Sequence, residues 1–255
     1  MTLRYRRAGK TRVIAGLLHG LTLVPVWLTK PRHSQAARRH EHQFMARIAR
    51  RLVDEIRVTG AEPGGRGTLY IANHISWMDI PVLGSALDID FVAKTEVRHW
   101  PLIGPLARRS GTLFVDREAR HRVHEQADGI GARLRAGHSL ILFAEGTTSD
   151  GIAILPFRSS LFEAAQHAAC IQPLAIGYHH DNGGALTDVE MQAIGWIEDE
   201  TLAANFKRVA PLRLSAEIRL MPRFAPEPGI TRKALAERCR QAVVEAYAAI
   251  RGAKN

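Results

Sequence analysis

The feature that most restricts the fold of this chain is an alternation of two patterns after residue 67. Short runs rich in Val, Ile, Leu and Phe alternate with longer stretches whose apolar residues recur every three or four positions. Strands and amphipathic helices in such alternation build a parallel or mixed sheet covered by helices. The sequence therefore predicts an α/β fold with a mixed, largely parallel sheet flanked by helices. Strands are expected near residues 68–72, 89–93, 112–115, 139–143, 171–178 and 212–221, and helices near 79–87, 118–136, 159–168, 201–207 and 231–250.

Chain length and composition indicate one sizeable core with a small appendage. The chain has 255 residues, of which 46% are hydrophobic. The turn-rich segment Ala61–Gly67 predicts a boundary between a basic, apolar helical segment, residues 1–60, and an α/β domain, residues 61–255. Cys170 and Cys239 are far apart and fit neither a metal site nor a disulfide framework, which favours a reducing compartment.

The excess positive charge lies at the N-terminal end. Residues 1–58 contain 13 Lys and Arg against 3 Asp and Glu, whereas residues 59–255 contain 22 of each. The basic residues bracket Val13–Thr29, which has no charged residue over 17 positions. Nucleic acid offers such a stretch nothing to bury against, and the rest of the chain is neutral. An anionic membrane surface is therefore the expected partner, and nucleic acid is not.

The apolar stretch is short for a membrane-spanning helix. Seventeen helical residues rise about 25 Å, less than the hydrocarbon thickness of about 30 Å. A second helix, with arginines around its apolar face, is expected over Arg38–Val58. We therefore expect two helices lying in or dipping into the cytoplasmic leaflet of the cell membrane. A single-pass anchor and a signal peptide are the alternatives.

A histidine and an aspartate follow the first strand of the expected domain. Residues 73–79 read Asn-His-Ile-Ser-Trp-Met-Asp directly after the strand at 68–72. The strand end exposes the imidazole, and the turn that follows can bring Asp79 back to Nδ1 of His74. Asp79 would then fix the tautomer and leave Nε2 free to take a proton. The pair is the predicted catalytic base with its orienting carboxylate.

Three further segments follow in a fixed order. They read KTEVRHWPLIGPLARRSGTLFVDR at 94–117, FAEGTTSD at 143–150 and IQPLAI at 171–176. Together with NHISWMD, they resemble the four signature blocks of the glycerolipid acyltransferases, the family that acylates lysophosphatidic acid and related lysolipids. Two positions depart from the usual third block, Phe-Pro-Glu-Gly-Thr-Arg: Ala144 stands at the proline and Thr148 at the arginine.

The resemblance implies a membrane-associated O-acyltransferase in which His74 and Asp79 are catalytic. Its donor, acyl-CoA or acyl carrier protein bearing an acyl group, is already activated, so neither a cofactor nor a metal is expected. His40-Glu41-His42 and His179-His180-Asp181 also lack the further ligands of a metal site.

The same resemblance implies the acceptor-binding residues. Glu145, Gly146 and Thr147 contact the acceptor or organise the site, Arg117 binds its phosphate or headgroup, and Lys94 is a second cation for that task. Arg158 can supply the anion contact that Thr148 cannot. Arg108 and Arg109 either contact the acyl donor, coenzyme A or acyl carrier protein, or are a solvated pair.

Three functions remain open from the sequence. The first is acylation of 1-acylglycerol-3-phosphate to phosphatidic acid, which the resemblance makes the default. The second is acylation of a lyso-aminolipid such as lyso-ornithine lipid, which has no phosphate monoester and would not need an arginine at position 148. The third is a non-catalytic lipid-binding module, and the intact His74 and Asp79 argue against it.

Overall fold

The computed structural model describes residues 1–4, 29, 34–101, 103–116, 123–197 and 200–252. Apart from Thr29, the apolar stretch 13–29 lies outside these residues, and so does Arg117. In the described ranges, no helix combines the length and the apolar composition needed to cross a bilayer.

The described strands form one eight-stranded sheet in the order β1-β2-β8-β7-β3-β6-β4-β5. Two neighbouring pairs, β1 with β2 and β7 with β8, are antiparallel, and the other five are parallel. The expected mixed, largely parallel sheet with flanking helices is confirmed. The strands are β1 Thr2–Arg4, β2 Glu55–Gly60, β3 Thr68–Ala72, β4 Asp90–Lys94, β5 Leu113–Val115, β6 Leu140–Phe143, β7 Cys170–His180 and β8 Leu214–Leu220.

The helices connect and cover these strands. In the described residues they are α1 Gln35–Leu52, α2 Asp79–Ala86, α3 Ile103–Ser110, α4 Val123–Arg135, α5 Asp188–Ile194, α6 Leu202–Val209 and α7 Arg232–Gly252, with 3₁₀ helices at Thr95–His99 and Ser159–His167. The sequence pattern had indicated the elements near α2, α4, α6, α7 and the second 3₁₀ helix. It missed α3 and α5, which are short, and strands β1 and β2.

Strand β3 lies in the middle of the sheet and is buried on both faces. Leu69 and Ile71 pack into the apolar cluster on one face, whereas Tyr70 and Ala72 pack into the cluster on the other. Side chains alternate between faces along a strand, and helices cover both faces of a parallel sheet, so both sets are buried. This burial fixes the position from which the next residues leave the sheet.

The prediction of a helix over Arg38–Val58 is wrong beyond residue 52. Helix α1 begins after Ser34, whose hydroxyl accepts the Ala37 N–H at 3.1 Å, and it ends at Leu52 and packs on α2. The residues that follow form β2, which pairs with β8 in parallel. Ile56 is fully buried there. Its helical spacing from the preceding apolar residues was therefore coincidental, because β-branched residues also suit a strand.

The pairing of the strands also corrects the predicted domain boundary after residue 60. Strands β1 and β2 precede it and belong to the same sheet as the rest of the domain. The turn-rich segment Ala61–Gly67 is the connection from β2 to β3. The described residues before it are thus part of the α/β domain.

Candidate active site

The candidate site lies at the carboxyl ends of the parallel strands, the edge at which such sheets bind ligands. The register pairs Ala72, the last residue of β3, with Phe143, the last residue of β6. His74 and Glu145 each follow two residues after these strand ends. The two side chains therefore leave neighbouring strands side by side, although 71 positions separate them in the sequence.

His74 and Asp79 form the contact expected from their spacing. Nδ1 of His74 lies 2.7 Å from Oδ2 of Asp79. The imidazole is 16% exposed, whereas the carboxylate is fully buried. The ring also stacks on Phe143, with centroids 3.9 Å apart and planes 14° apart. The contact with Asp79 occupies Nδ1, so Nε2 is the nitrogen available to a substrate.

Both oxygens of Asp79 have further partners. Oδ2 accepts the backbone N–H groups of Ile75 at 2.7 Å and Ser76 at 3.0 Å. Oδ1 accepts the hydroxyl of Tyr178 at 2.6 Å. Burial and the neighbouring Asp79 raise the pKa of Tyr178 well above its usual value, so the phenol keeps its proton and donates. Together with Nδ1 of His74, these three donors hold the carboxylate in one orientation.

Asn73 attaches the predicted catalytic turn, residues 73–79, to β7. Its Nδ2 donates to the carbonyl of Ile176 at 2.9 Å, and its Oδ1 accepts the N–H of the same residue at 2.8 Å. Asn73 is fully buried. No role of Asn73 or Tyr178 is predicted from the sequence. A buried tyrosine hydroxyl requires a partner, but the sequence does not say which.

Glu145 holds the site from the other side. Its Oε1 accepts the backbone N–H of His74 at 2.7 Å, and its Oε2 accepts the N–H of Leu155 at 2.8 Å. The residue is 2% exposed. The family resemblance implies that Glu145 either contacts the acceptor or organises the site. This geometry is that of an organising residue, and a contact with the acceptor stays a prediction.

Opposing effects act on the pKa of Glu145. Burial, helped by the carboxylate of Asp79, raises its pKa from 4.5 to about 7. The backbone N–H groups of His74 and Leu155 and the guanidinium of Arg240 act in the opposite direction. Burial therefore has the largest effect on the pKa of Glu145. The carboxyl group of Glu145 is hydrogen-bonded to the main chain of His74, the predicted base.

The residues after Glu145 form a turn that Arg158 covers. Gly146 has a φ of 76°, which favours glycine. A Cβ there would lie 2.6 Å from Cδ of Arg158, so the arginine stem packs directly on this backbone. Thr147 and Arg158 are exposed. The structure thus brings Arg158 onto Gly146, in the turn that directly follows the hydrogen-bond partner of the His74 N–H and that also contains Thr147.

Thr148, at the position of the family arginine, is committed to the protein itself. Its hydroxyl donates to the carbonyl of Trp196. The N–H of Trp196 in turn donates to the carbonyl of Ile75 at 3.0 Å. Position 148 therefore fixes a neighbouring loop against the catalytic turn and supplies no positive charge.

The remaining predicted cations are more scattered. Lys94 is the last residue of β4, and its side chain is half exposed. Its Nζ lies 3.6 Å from Oε1 of Glu96. Arg108 donates to the carbonyl of Arg98 at 2.8 Å. Arg117 lies outside the described residues. The structure therefore brings Lys94 to the carboxyl edge of the sheet but not into contact with His74, and the acceptor roles of Lys94 and Arg117 stay predictions.

The arrangement suits proton transfer from a hydroxyl group. A base with an orienting carboxylate contributes typically 10²–10⁴-fold to such a step. The carboxylate of Asp79 can stabilise the imidazolium that forms when His74 takes a proton. The fold and this pair suit an α/β enzyme with a histidine placed to act as general base, and that role of His74 stays a prediction.

Known proteins identify the class. Residues 55–177 match the family described as Acyltransferase. A lyso-ornithine lipid O-acyltransferase of Brucella abortus is 37% identical over 207 residues, which are 77% of this chain and 77% of that protein. A 1-acyl-sn-glycerol-3-phosphate acyltransferase of Neisseria gonorrhoeae is 33% identical over 118 residues, 46% of each chain. The chain belongs to the acyltransferase family and is an acyltransferase.

A solved structure shares the fold. The 1-acyl-sn-glycerophosphate acyltransferase PlsC from Thermotoga maritima is similar with a TM-score of 0.68, over 96% of this chain and 99% of that one. The sequence identity is 20%, so this likeness concerns the fold alone.

Proposed function

We propose that this acyltransferase esterifies the hydroxyl group of a lysolipid with an acyl group taken from acyl-CoA or from acyl carrier protein. Nε2 of His74 takes the hydroxyl proton while the oxygen attacks the thioester carbonyl. The C–S bond then breaks, and the thiolate receives the proton from the imidazolium. The thioester is already activated, so we propose a reaction without a metal or an organic cofactor.

The observation that carries this proposal is the 2.7 Å contact between His74 and a fully buried Asp79. A lipid-binding module without activity would have no use for a charged carboxylate buried behind a histidine, because burying a charge is costly unless it is paired. The pair therefore favours catalysis over binding alone.

For the acceptor we favour a lyso-aminolipid, such as lyso-ornithine lipid. Thr148 replaces the family arginine, and its hydroxyl is bonded to Trp196, so this position offers nothing to a phosphate monoester. The Brucella abortus relative named for lyso-ornithine lipid also matches 77% of this chain, against 46% for the Neisseria gonorrhoeae relative named for 1-acylglycerol-3-phosphate.

The second candidate acceptor is 1-acylglycerol-3-phosphate. The exposed Arg158 beside Gly146 favours it, because a guanidinium binds phosphate oxygens in pairs. Lys94 and Arg117 would add to that contact if the family roles hold here.

The two acceptors should differ in a direct comparison. With one labelled acyl-CoA, we expect kcat/KM for lyso-ornithine lipid to exceed that for 1-acylglycerol-3-phosphate by about tenfold or more, the factor that 1.4 kcal/mol supplies. Product formed by the His74→Ala variant gives the background. Equal or better use of the phosphate lipid would overturn the acceptor assignment and leave the acyl-transfer chemistry in place.

We also propose that the N-terminal segment attaches the enzyme to the cytoplasmic face of an anionic membrane. The support is the concentration of basic residues before residue 59 around an apolar stretch. In the described part of this segment, Arg39 and Arg50 are exposed on α1. Basic residues near an anionic surface contribute about 1 kcal/mol each.

Binding of the full chain to vesicles of anionic phospholipid should weaken as salt rises. The screening length falls from about 10 Å at 0.1 M salt to about 3 Å at 1 M. A full-length variant with Arg6, Arg7, Lys10 and Arg12 replaced by glutamine should bind more weakly at low salt, as measured by vesicle sedimentation. Vesicles of zwitterionic lipid are the control. Retention that salt does not reduce and only detergent reverses would contradict surface attachment and favour a membrane-spanning anchor.

A further inference from the structure

A cavity of about 400 Å³ opens beside the catalytic turn, and the reaction as described above does not use it. It is lined by Asp150, Gln192, Ile197, Glu200 and Arg208. These residues come from the loop after β6, from α5, from the segment that follows α5, and from α6. The cavity thus combines charged, amide and apolar side chains.

Hydrogen bonds connect one wall of this cavity to the predicted base. Asp150 follows Ser149, whose N–H donates to the carbonyl of His74 at 2.8 Å. A Cβ on Gly195 would lie 2.9 Å from Cα of Asp150. Asp150 in this wall is therefore one residue away from a direct contact with the main chain of His74.

A second wall, formed by Glu200, is connected to the same turn. Nδ2 of Asn205 donates to Glu200 at 3.2 Å, and Oδ1 of Asn205 accepts the indole N–H of Trp77 at 2.9 Å. Trp77 lies three residues after His74 in the sequence. A molecule bound in the cavity would therefore lie next to the turn that carries the base.

The charges on the lining leave one carboxylate for a ligand. Both oxygens of Glu200 bind the guanidinium of Arg208, with Nη2 at 2.8 Å from Oε2. Arg208 also donates to the carbonyls of Gly195 and Ala193. The charges of Glu200 and Arg208 cancel, and four of the five N–H donors of Arg208 are already used.

Asp150 is different from Glu200. Its Oδ1 accepts the N–H of Ile152 at 3.0 Å. In the described ranges, no ion pair includes Asp150, which is only partly buried. Counted over the described residues, the lining of the cavity therefore has a net charge of about −1, from a carboxylate with spare acceptor capacity.

We propose that Asp150 binds the ammonium group of the acceptor headgroup, and that this cavity is the headgroup site. The inference rests on the proposed acceptor class. Ornithine has two amines and one carboxyl group, so whichever amine is acylated, one ammonium and one carboxylate remain. A carboxylate attracts that ammonium and repels a phosphate monoester, so Asp150 selects between the two candidate acceptors.

The test is a cycle of two enzymes and two lipids. Wild type and the Asp150→Asn variant are each given lyso-ornithine lipid and the same lipid with its free amine acetylated. Asparagine is nearly isosteric and can still accept the Ile152 N–H, but it has no charge. A charge-assisted hydrogen bond is worth typically ten- to a hundred-fold in affinity.

We expect wild type to prefer the free amine by about ten- to a hundred-fold in kcat/KM, mainly through KM, and the variant to discriminate by less than about threefold. Asp150→Glu keeps the charge and should retain part of the preference. Asp128→Asn, which removes an exposed carboxylate on α4, is the matched control and should behave as wild type.

Other results would overturn the proposal in distinguishable ways. If Asp150→Asn weakens the use of both lipids equally, the residue has a structural role through Ile152. If it weakens neither, the ammonium binds elsewhere. In both cases wild type still acylates lyso-ornithine lipid, and the proposed function stands. If wild type does not acylate lyso-ornithine lipid, the acceptor assignment fails together with this site.

Discussion

Replacing His74 with alanine should reduce the turnover of the purified enzyme by about 10²–10⁴-fold, the range that a general base contributes. Alanine has no basic nitrogen to take the hydroxyl proton, so the attacking oxygen stays protonated. The change acts on the chemical step, and we expect kcat to fall far more than KM changes. Single-turnover formation of labelled product measures the step directly.

A second variant separates chemistry from folding in this experiment. His74→Ala removes the Nδ1 donor from the buried Asp79 and the ring that stacks on Phe143. It can therefore also lower stability. His74→Gln offers an N–H donor without a basic nitrogen, so it should be similarly inactive while thermal unfolding stays closer to wild type. Turnover near the wild-type rate in folded His74→Ala would refute the mechanism.

Replacing Asp79 with asparagine should cost nearly as much. The amide oxygen can still accept N–H groups, and the amide nitrogen can face the hydroxyl oxygen of Tyr178. The negative charge that stabilises the imidazolium is lost, however. We expect kcat to fall by about 10²–10⁴-fold, with KM for both substrates within about threefold of wild type, because neither substrate touches a fully buried side chain.

Tyr178→Phe is the graded control for this experiment. It removes the donor to Oδ1 of Asp79 and leaves the charge and the contact with His74 in place. Losing one such bond typically costs about 1.5–3 kcal/mol, so kcat should fall by no more than about a hundred-fold. An Asp79→Asn enzyme more active than Tyr178→Phe would contradict the role of the carboxylate charge.

The sequence predicted those parts of the site that depend on neighbours along the chain. Strand β3 and helix α2 match their expected ranges closely, because a buried strand and the helix after it have clear apolar patterns. The contact between His74 and Asp79 spans five positions and one turn. Local spacing was therefore sufficient to predict it.

The missed contacts depend on the order of the strands. Asn73 bonds to Ile176 across 103 positions, and Tyr178 bonds to Asp79 across 99. Both require β7 to lie beside β3 in one particular register. Strand order is a tertiary property, and nothing in the local pattern of one sequence specifies it. The second helix was predicted too long for the same reason. Only the pairing with β8 shows that Ile56 lies in a strand.

The pairing of Ala72 with Phe143 also has a consequence for the order of folding. Glu145 reaches the main chain of His74 only after β6 has docked beside β3. Long-range pairing of parallel strands is a slow step, because the intervening loop must close before any contact forms. The base therefore acquires its final geometry after the centre of the sheet has assembled. A partly folded chain that lacks this pairing also lacks the hydrogen bond that the His74 N–H donates to Glu145.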